Sequence, residues 1–212
     1  MSKLETELLD NLHILIKKNG LNIQKDAQIK LVKYILFLNK WNKTYNLTSI
    51  HDPFEMLKVH ILDSIAVIPY LQGKYFIDVG TGPGLPGIPL AICCPDKHFV
   101  LLDSLGKRIR FLRYVIHQLN LNSVTTIESR IEKYQTNILF DGVLTRAFSS
   151  LHNMLELTQH IIDKQGTFYA FKSSISEIEL QKIPKKFQIQ DIIQLNILDF
   201  NVVRNLIRIK YK

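Results

Sequence analysis

The sequence has little cysteine and no long apolar run. Only two of the 212 residues are cysteines, Cys93 and Cys94, and because they are adjacent in an apolar pattern an ordinary disulfide between them is disfavoured. The spacing of a four-ligand zinc site is absent as well, so we expect no metal and interpret both residues as core thiols of a reducing compartment. No window reaches the roughly 18 uninterrupted apolar residues of a membrane span, and the first residues lack the basic-then-apolar layout of a secretory signal. We therefore expect a cytoplasmic protein without a membrane partner.

Acidic residues are fewer than basic ones. The 27 lysines and arginines against 19 aspartates and glutamates give a formal charge of +8 and an isoelectric point near 9.4. Such a surplus favours a polyanionic partner, either nucleic acid or a membrane surface, and charge alone does not choose between them. The apolar content of 46% predicts a packed globule rather than disorder. Internal repeats and low-complexity linkers are absent.

The first seventy residues predict helices. Ser2 and Glu5 have the spacing of a capping box, and leucines and isoleucines follow at helical intervals up to Gly20. A second helix is predicted from about Gln24 to Trp41, and a third begins at Asp52, where proline follows the capping aspartate. We expect residues 1–72 to form a helical extension that packs on a main domain of residues 73–212.

Two segments of this extension contain side chains that could bind RNA or take part in catalysis. Residues 40–48 interleave cations, amides and aromatic rings, so Trp41 and Tyr45 either contact RNA or pack a helix end against the main domain, and the sequence favours neither. His60, Asp63 and Ser64 have the residue types of a catalytic triad, but they lie within five residues of each other. This proximity favours a local capping or packing role over nucleophilic catalysis.

From residue 75 onward, β-like and helical segments alternate. The predicted strands are 75–79, 98–102, 124–128, 141–145 and 167–171, and the predicted helices are 85–94, 105–119 and 151–163. Two further β-like stretches, 187–195 and 201–210, are joined by a turn-like segment at 198–201 and predict a hairpin at the edge of the sheet. This alternation predicts an α/β fold with a doubly wound, mainly parallel sheet.

A glycine-rich turn follows the first of these strands. Glycines at 80, 82, 84 and 87 allow a tight turn and let a ligand approach the main chain closely. Residues 82–87 satisfy G-x-G-x-x-G, and Asp103 follows at about the ~20-residue distance of a ribose-binding acid. An NAD-dependent oxidoreductase is therefore one candidate class.

The prolines of the turn argue for a different ligand. A pyrophosphate is held by backbone N–H groups, and Pro83 and Pro86 each lack one. S-adenosylmethionine has no phosphate, and its sulfonium cation would be attracted by Asp78 at the strand end. Asp103 suits the ribose of either ligand, because one carboxylate can accept hydrogen bonds from both hydroxyls.

Longer motifs extend well beyond the glycine turn. They comprise residues 77–90, 101–108, 129–132 and 140–148, with further matches at 41–48, 60–64 and 168–172. In these motifs the chain resembles the bacterial small-subunit ribosomal RNA guanine N7-methyltransferase family, RsmG, also called GidB. The resemblance spans roughly residues 40–172, and the last forty residues carry little of it. One departure is Lys172-Ser173, where the family usually has lysine followed by glycine.

The resemblance implies a class I methyltransferase: a Rossmann-like, mainly parallel seven-stranded sheet with helices on both faces. It implies methyl transfer from S-adenosylmethionine to N7 of a guanine in the decoding-region loop of 16S rRNA, with the RNA or the small subunit as partner and no obligatory protein partner. The cofactor contacts that it implies are Gly80, Gly82, Leu85, Asp103, Ile131, Glu132 and Arg146. Without the resemblance, Ile131 would be interpreted as core, Glu132 as a solvated residue and Arg146 as a surface ion-pair partner.

Guanine N7 carries a lone pair and no proton, so we expect no general base and rate enhancement through alignment and electrostatics. Arg146 and Lys172 are candidates for contact with guanine O6 or a phosphate. Lys107 and Arg108, together with Arg110 and Arg113, form either a solvated basic face or an RNA track, and both interpretations are open. A basic RNA-binding module without catalytic activity is the alternative that is not an enzyme.

Overall fold

The computed structural model describes residues 2–146, 150–198 and 203–212. It begins with two long helices, α1 (Lys3–Lys18) and α2 (Lys25–Tyr45). The predicted capping box at α1 is confirmed, since Ser2 Oγ accepts from the Glu5 N–H and the Glu5 carboxylate accepts from the Ser2 N–H. The predicted end of α2 at Trp41 is wrong: the helix continues to Tyr45, because the first residue with left-handed backbone is Asn46, at φ 49°.

A third helical stretch changes its winding along its length. It consists of α3 (Pro53–Met56), a π-helical segment (Leu57–Leu62) and α4 (Asp63–Ile65), and a 3₁₀ turn (Ile68–Tyr70) follows. The predicted cap is confirmed, since Asp52 Oδ1 accepts from the Phe54 N–H at 3.1 Å. The π segment was not predicted, and such segments occur frequently at functional sites.

Seven strands form one sheet. They are β1 (Tyr75–Val79), β2 (His98–Asp103), β3 (Val124–Glu128), β4 (Phe140–Arg146), β5 (Ile162–Lys172), β6 (Phe187–Leu195) and β7 (Arg204–Tyr211), in the order β3-β2-β1-β4-β5-β7-β6. β1 to β5 are parallel, and β7 lies antiparallel between β5 and β6. The predicted sheet and hairpin are confirmed, while residues 199–201 of the predicted hairpin turn lie outside the described residues.

The remaining helices are α5 (Gly87–Cys93), α6 (Gly106–Leu119), α7 (Leu151–Thr158) and the unpredicted α8 (Glu177–Gln181). A 3₁₀ turn covers Ile131–Lys133. The predicted extension of α7 to residue 163 is wrong, because Ile162 pairs with Phe140 as the first residue of β5. Apolar residues at 161 and 162 fit a helix face and a strand equally well, so their spacing does not distinguish the two.

The sheet separates two hydrophobic cores. Alternate strand residues such as Phe76 and Leu101 face one core, together with α2, α5 and α6, while Ile77 and Val143 face the other, together with α7. Helices therefore cover both faces, as predicted. α1 and α2 contribute to the first core, and a domain boundary at residue 72 stays a prediction. None of the helices in the described part of the chain is both long and apolar enough for a membrane span.

Candidate functional site

The backbone donors of the glycine turn are all used inside the protein. The N–H groups of Gly80 and Thr81 both donate to Leu102 O. The Gly82 N–H donates to Asp103, and the Gly87 N–H donates to Asp78. The N–H groups of Gly84 and Leu85 donate to Thr81 O, and that of Ile88 donates to Gly84 O. Pro83 and Pro86 have no N–H group. The turn therefore offers no free backbone donor to a pyrophosphate, which argues against a dinucleotide.

Asp78 connects the two ends of the glycine turn. Its side chain is fully buried beneath the turn, where Oδ2 accepts from Thr81 Oγ1 at 2.7 Å and from the Gly87 N–H at 2.9 Å. Burial raises the pKa of this carboxyl to about 6. The carboxylate thus holds the two ends of the turn together through Oδ2. The expected attraction of a sulfonium cation by Asp78 stays a prediction.

A cavity of about 350 Å³ opens beside the turn, at the carboxyl ends of β1 and β2. Four of the predicted cofactor contacts line it: Gly80, Asp103, Ile131 and Glu132. The other lining residues are Val79, Leu102, Ser104, Arg108, Ser129, Arg130 and Leu157. Crevices at the carboxyl ends of strands are the usual ligand sites of open α/β sheets, so this cavity is the candidate cofactor site.

Asp103 forms the polar centre of this cavity. Its side chain is 3% exposed, and it accepts hydrogen bonds from the Gly82 N–H at 2.9 Å, the Leu105 N–H at 2.9 Å and Arg108 Nη1 at 3.0 Å. Two of these donors bind Oδ2 and one binds Oδ1, which leaves acceptor capacity on Oδ1 for a hydroxyl group. A carboxylate held in this way fits the ribose of a nucleoside ligand.

Three glycines of the turn, Gly80, Gly82 and Gly84, have a positive φ angle. Gly80 and Gly82 have φ angles of +71° and +60°, and a Cβ atom on either would meet nothing within 4 Å. Gly80 opens onto the cavity, whereas Gly82 acts through its bond to Asp103. Leu85 is 5% exposed, packs in the first core and is not part of the cavity wall. Cofactor contact by Leu85 stays a prediction.

Arg146 lies at the end of β4 and contacts the π-helical segment. Its guanidinium lies 3.4 Å from Asp63 Oδ2 and donates from Nη2 toward His60 Nδ1 at 3.3 Å. Asp63 also accepts from Arg204 Nε of β7 at 3.0 Å. The ion pair of the alternative interpretation is therefore observed, but it is mostly buried rather than at the surface, since the Arg146 side chain is 19% exposed and the Asp63 side chain 2%. Cofactor contact by Arg146 stays a prediction.

His60 is held as a neutral donor in this network. Arginine only donates, so His60 Nδ1 must accept from Arg146 and Nε2 must donate to Thr48 Oγ1, 2.9 Å away. Burial and the neighbouring Arg146 lower the pKa of His60 to about 4. Ser64 Oγ donates to the His60 carbonyl at 2.6 Å rather than to its ring. All three residues have a packing role, as expected, but only the bond of Ser64 is local; His60 and Asp63 also bind Arg146 and Arg204, which are distant in sequence.

The residues proposed to contact RNA already have protein partners. Lys172 Nζ donates to Glu179 Oε1 of α8 at 2.7 Å, and Lys107 Nζ donates to Tyr45 O at the end of α2 at 2.9 Å. Arg108 belongs to the cavity wall rather than to a freely solvated face. To bind RNA, Lys172 would have to share or give up its bond to Glu179, and Arg108 its bond to Asp103. RNA contact by either residue stays a prediction.

The aromatic segment at the end of α2 packs against the main domain. Trp41 lies between Tyr45, Phe111 and Tyr114, with ring centroids 5.2 to 5.6 Å apart. Of the two interpretations of this segment, packing is therefore the one observed for Trp41. In the described ranges no group of three or more His, Cys, Asp or Glu side chains could hold a metal ion.

Sequence reasoning did not identify two contacts that shape the site. Tyr34 Oη donates to the carbonyl of Pro83, 49 residues away, at 3.0 Å. The Arg204–Asp63 pair is separated by 141 residues. No local spacing could indicate either contact; the nearest signal was a tyrosine on the apolar face of α2.

Comparisons with known proteins agree with this geometry. Residues 27–207 match the family described as GidB, rRNA small subunit methyltransferase G. The chain is 51% identical to ribosomal RNA small subunit methyltransferase G of Pasteurella multocida (strain Pm70), over 99% of this chain and 100% of that protein. It is 48% identical to the protein of that name from Escherichia coli (strain SMS-3-5 / SECEC), over 96% of this chain and 98% of the relative.

Solved structures with the same fold include an N-methyltransferase. The N-methyltransferase NodS from Bradyrhizobium japonicum WM9, in complex with S-adenosyl-l-homocysteine, has a TM-score of 0.57 at 11% identity, covering 82% of this chain and 98% of that chain. TYW2 of M. jannaschii, in complex with AdoMet, has a TM-score of 0.52 at 16% identity, covering 66% and 70%. These likenesses show the fold. The match over residues 27–207 and the identity to full-length relatives show that the chain belongs to the rRNA small subunit methyltransferase G (GidB) family.

Proposed function

We propose that the protein transfers a methyl group from S-adenosylmethionine to N7 of a guanine in the decoding-region loop of 16S rRNA, and that it acts in the cytoplasm. The observation that carries the proposal is the glycine turn: its backbone donors are all bonded internally, and it borders a cavity with a held carboxylate. Such a site suits a nucleoside without phosphates. Family membership supports methyl transfer to small-subunit rRNA.

Different residues of the cavity would contact different parts of the cofactor. Asp103 would accept hydrogen bonds from the ribose hydroxyls through the free capacity of Oδ1. Ile131 and Leu102 offer apolar surface to the adenine, and Gly80 leaves the backbone open on the cavity side because it has no Cβ atom. Glu132 lines the cavity beside Ile131, where the resemblance places the adenine side. When bound, S-adenosylmethionine supplies an electrophilic methyl group.

The chain needs no general base for this reaction. N7 of guanine has an in-plane lone pair, so the nucleophile is active without loss of a proton, and the protein has to align it and tolerate the positive charge that develops. The described residues fit this requirement, since His60 is neutral and bonded on both ring nitrogens, and Asp63 is paired with two arginines. Arg146 and Lys172 remain candidates for contact with guanine O6 or a phosphate.

The test combines binding with mapping of the product. Calorimetry should show binding of S-adenosylhomocysteine and none of NAD, and binding of NAD alone would contradict the proposal. Purified protein with labelled S-adenosylmethionine should then label 16S rRNA, as naked RNA or in small subunits. Mapping of 7-methylguanine in rRNA from cells with and without the protein should locate one nucleotide in the decoding-region loop. Labelling of neither form of the RNA would favour a binding module without activity.

A further inference from the structure

The net charge of the protein is concentrated on two helices. α2 and α6 contain nine lysines and arginines and one aspartate, which gives them a net charge of +8. The formal charge of the whole 212-residue chain is also +8, with 27 basic and 19 acidic residues, so basic and acidic residues balance in the rest of the chain. A charge collected in this way indicates a single surface for a polyanion rather than general solubility.

The two helices lie side by side, and α6 contributes Arg108 to the wall of the cofactor cavity. Phe37 and Trp41 of α2 pack on Tyr114 of α6, with ring centroids 5.2 and 5.3 Å apart. Lys107 Nζ donates to Tyr45 O, which joins the end of α2 to the beginning of α6. Lys107 precedes Arg108, which lines the cavity, so this junction lies one residue along the chain from the cavity wall.

Four cations project from the outer surfaces of the two helices. Lys40, Lys43, Arg110 and Arg113 are exposed, and within residues 2–146, 150–198 and 203–212 they form no ion pair; together they are called the α2–α6 basic face. Residues three apart on a helix are neighbours, and like charges at such spacing destabilise it. The basic face therefore does not stabilise the fold, and its charges are available to a partner.

We propose that the α2–α6 basic face binds the phosphodiester backbone of 16S rRNA beside the guanine that enters the cavity. This inference rests on the proposed function and adds the surface that holds the substrate. Contacts with phosphates position an RNA without reading its sequence, and a basic face on the helix that supplies Arg108 to the cavity wall would help to set which nucleotide arrives there. A membrane is a poorer partner, because the nearby Trp41 and Phe37 pack in the seam between the helices instead of forming an apolar insertion surface.

The experiment compares two double charge reversals in the full chain. Arg110→Glu with Arg113→Glu changes the basic face. Lys164→Glu with Lys185→Glu makes the same change in charge at exposed lysines near the starts of β5 and β6, which β1 and β4 separate from β2 and β3, the strands that α6 connects. KM for small subunits is measured at several salt concentrations, with S-adenosylhomocysteine affinity as the check on folding. We expect the first variant to raise KM at least about tenfold and to lower the slope of log KM against log salt by roughly two, because two phosphate contacts are lost. The control should resemble the wild type.

Equal KM values and salt slopes for the two variants would overturn the inference. So would a first variant that binds small subunits normally but no longer binds vesicles of anionic phospholipid, since the face would then serve a membrane. If the first variant loses affinity for S-adenosylhomocysteine, its fold or cofactor site is disturbed. The double variant Lys40→Glu with Lys43→Glu is then compared with the control by the same KM values and salt slopes. A wild-type protein that methylates no rRNA would contradict the proposed function itself, whereas normal methylation by both variants would contradict only the basic face.

Discussion

Tyr34 and Pro83 connect the helical extension directly to the glycine turn. The hydroxyl of Tyr34, in the middle of α2, donates to the Pro83 carbonyl at 3.0 Å, and the tyrosine is fully buried. Burial raises the pKa of this hydroxyl well above its ordinary value, so it is a donor at neutral pH. The helical extension therefore supports the shape of the cofactor turn.

Replacement Tyr34→Phe should loosen the turn. It removes one buried hydrogen bond, worth about 1 kcal/mol, and leaves the Pro83 carbonyl unpaired. We expect the affinity for S-adenosylhomocysteine, measured by calorimetry, to fall about fivefold. Tyr169→Phe is the matched control, because Tyr169 accepts from the Gln72 N–H at the amino end of the sheet. It should cost similar stability and leave this affinity unchanged; an equal loss of affinity would show that Tyr34 has no special link to the site.

Replacement Gly80→Asp should abolish cofactor binding. The new side chain would project toward the cavity from a backbone at φ +71°, beside Asp103. We expect affinity for S-adenosylhomocysteine to fall on the order of 100-fold and methylation to fall with it. Gly20→Asp carries a similar backbone strain at φ +63° without touching the cavity. A Gly80→Asp protein that binds as well as Gly20→Asp would show that the cavity is not the cofactor site.

Replacement Arg108→Gln should weaken cofactor binding more than RNA binding. The guanidinium donates to Asp103 Oδ2 at 3.0 Å and keeps the carboxylate in place, so its loss should lower S-adenosylhomocysteine affinity by about three- to tenfold. Arg208→Gln also removes an arginine from a carboxylate pair, with Asp191 between β6 and β7. This control should lower thermal stability and leave the affinity intact. If Arg108→Gln instead raises only KM for small subunits, Arg108 is an RNA contact, as first expected.

The buried His60 should make stability depend on pH. Its pKa is about 4 in the folded protein, against the ordinary 6.5, so between these values the unfolded chain binds more protons. The free energy of unfolding should therefore fall as the pH is lowered from 6.5 to 4, by roughly 2–3 kcal/mol at most from this residue. The raised pKa values of Asp63 and Asp78 act in the opposite direction.

The contribution of His60 is isolated by comparing the wild type with His60→Gln. Denaturant unfolding at several pH values should give a smaller decrease below pH 6.5 for the variant, because glutamine does not titrate. Identical pH profiles for the two proteins would show that His60 is not held neutral in the folded state.

The structural features that were predicted correctly are those set by residues close together in the sequence. The caps at Ser2 and Asp52 and the bounds of β1 are set by local hydrogen bonds and by alternation, so they were predicted correctly. α7 was predicted too long because its last apolar residues suit a strand as well, and pairing with Phe140 decides between the two. At the site, the motifs located Gly80 and Asp103. The partners of Asp63 and Arg146 are set by the packing of β4 and β7 on the π-helical segment, which local spacing cannot report.

The position of β7 also sets an order for local opening. Among the strands that the structure describes, β6 pairs with β7 and with no other, and β7 pairs on its other side with β5. β6 can detach while β7 stays in place, but β7 cannot leave β5 without taking β6 with it, and an isolated hairpin is only marginally stable. Amide hydrogens of β6 should therefore exchange with solvent at least as fast as those that bond β7 to β5. Opening of the same unit would also withdraw Arg204 from Asp63, so exchange in the π-helical segment should rise with it.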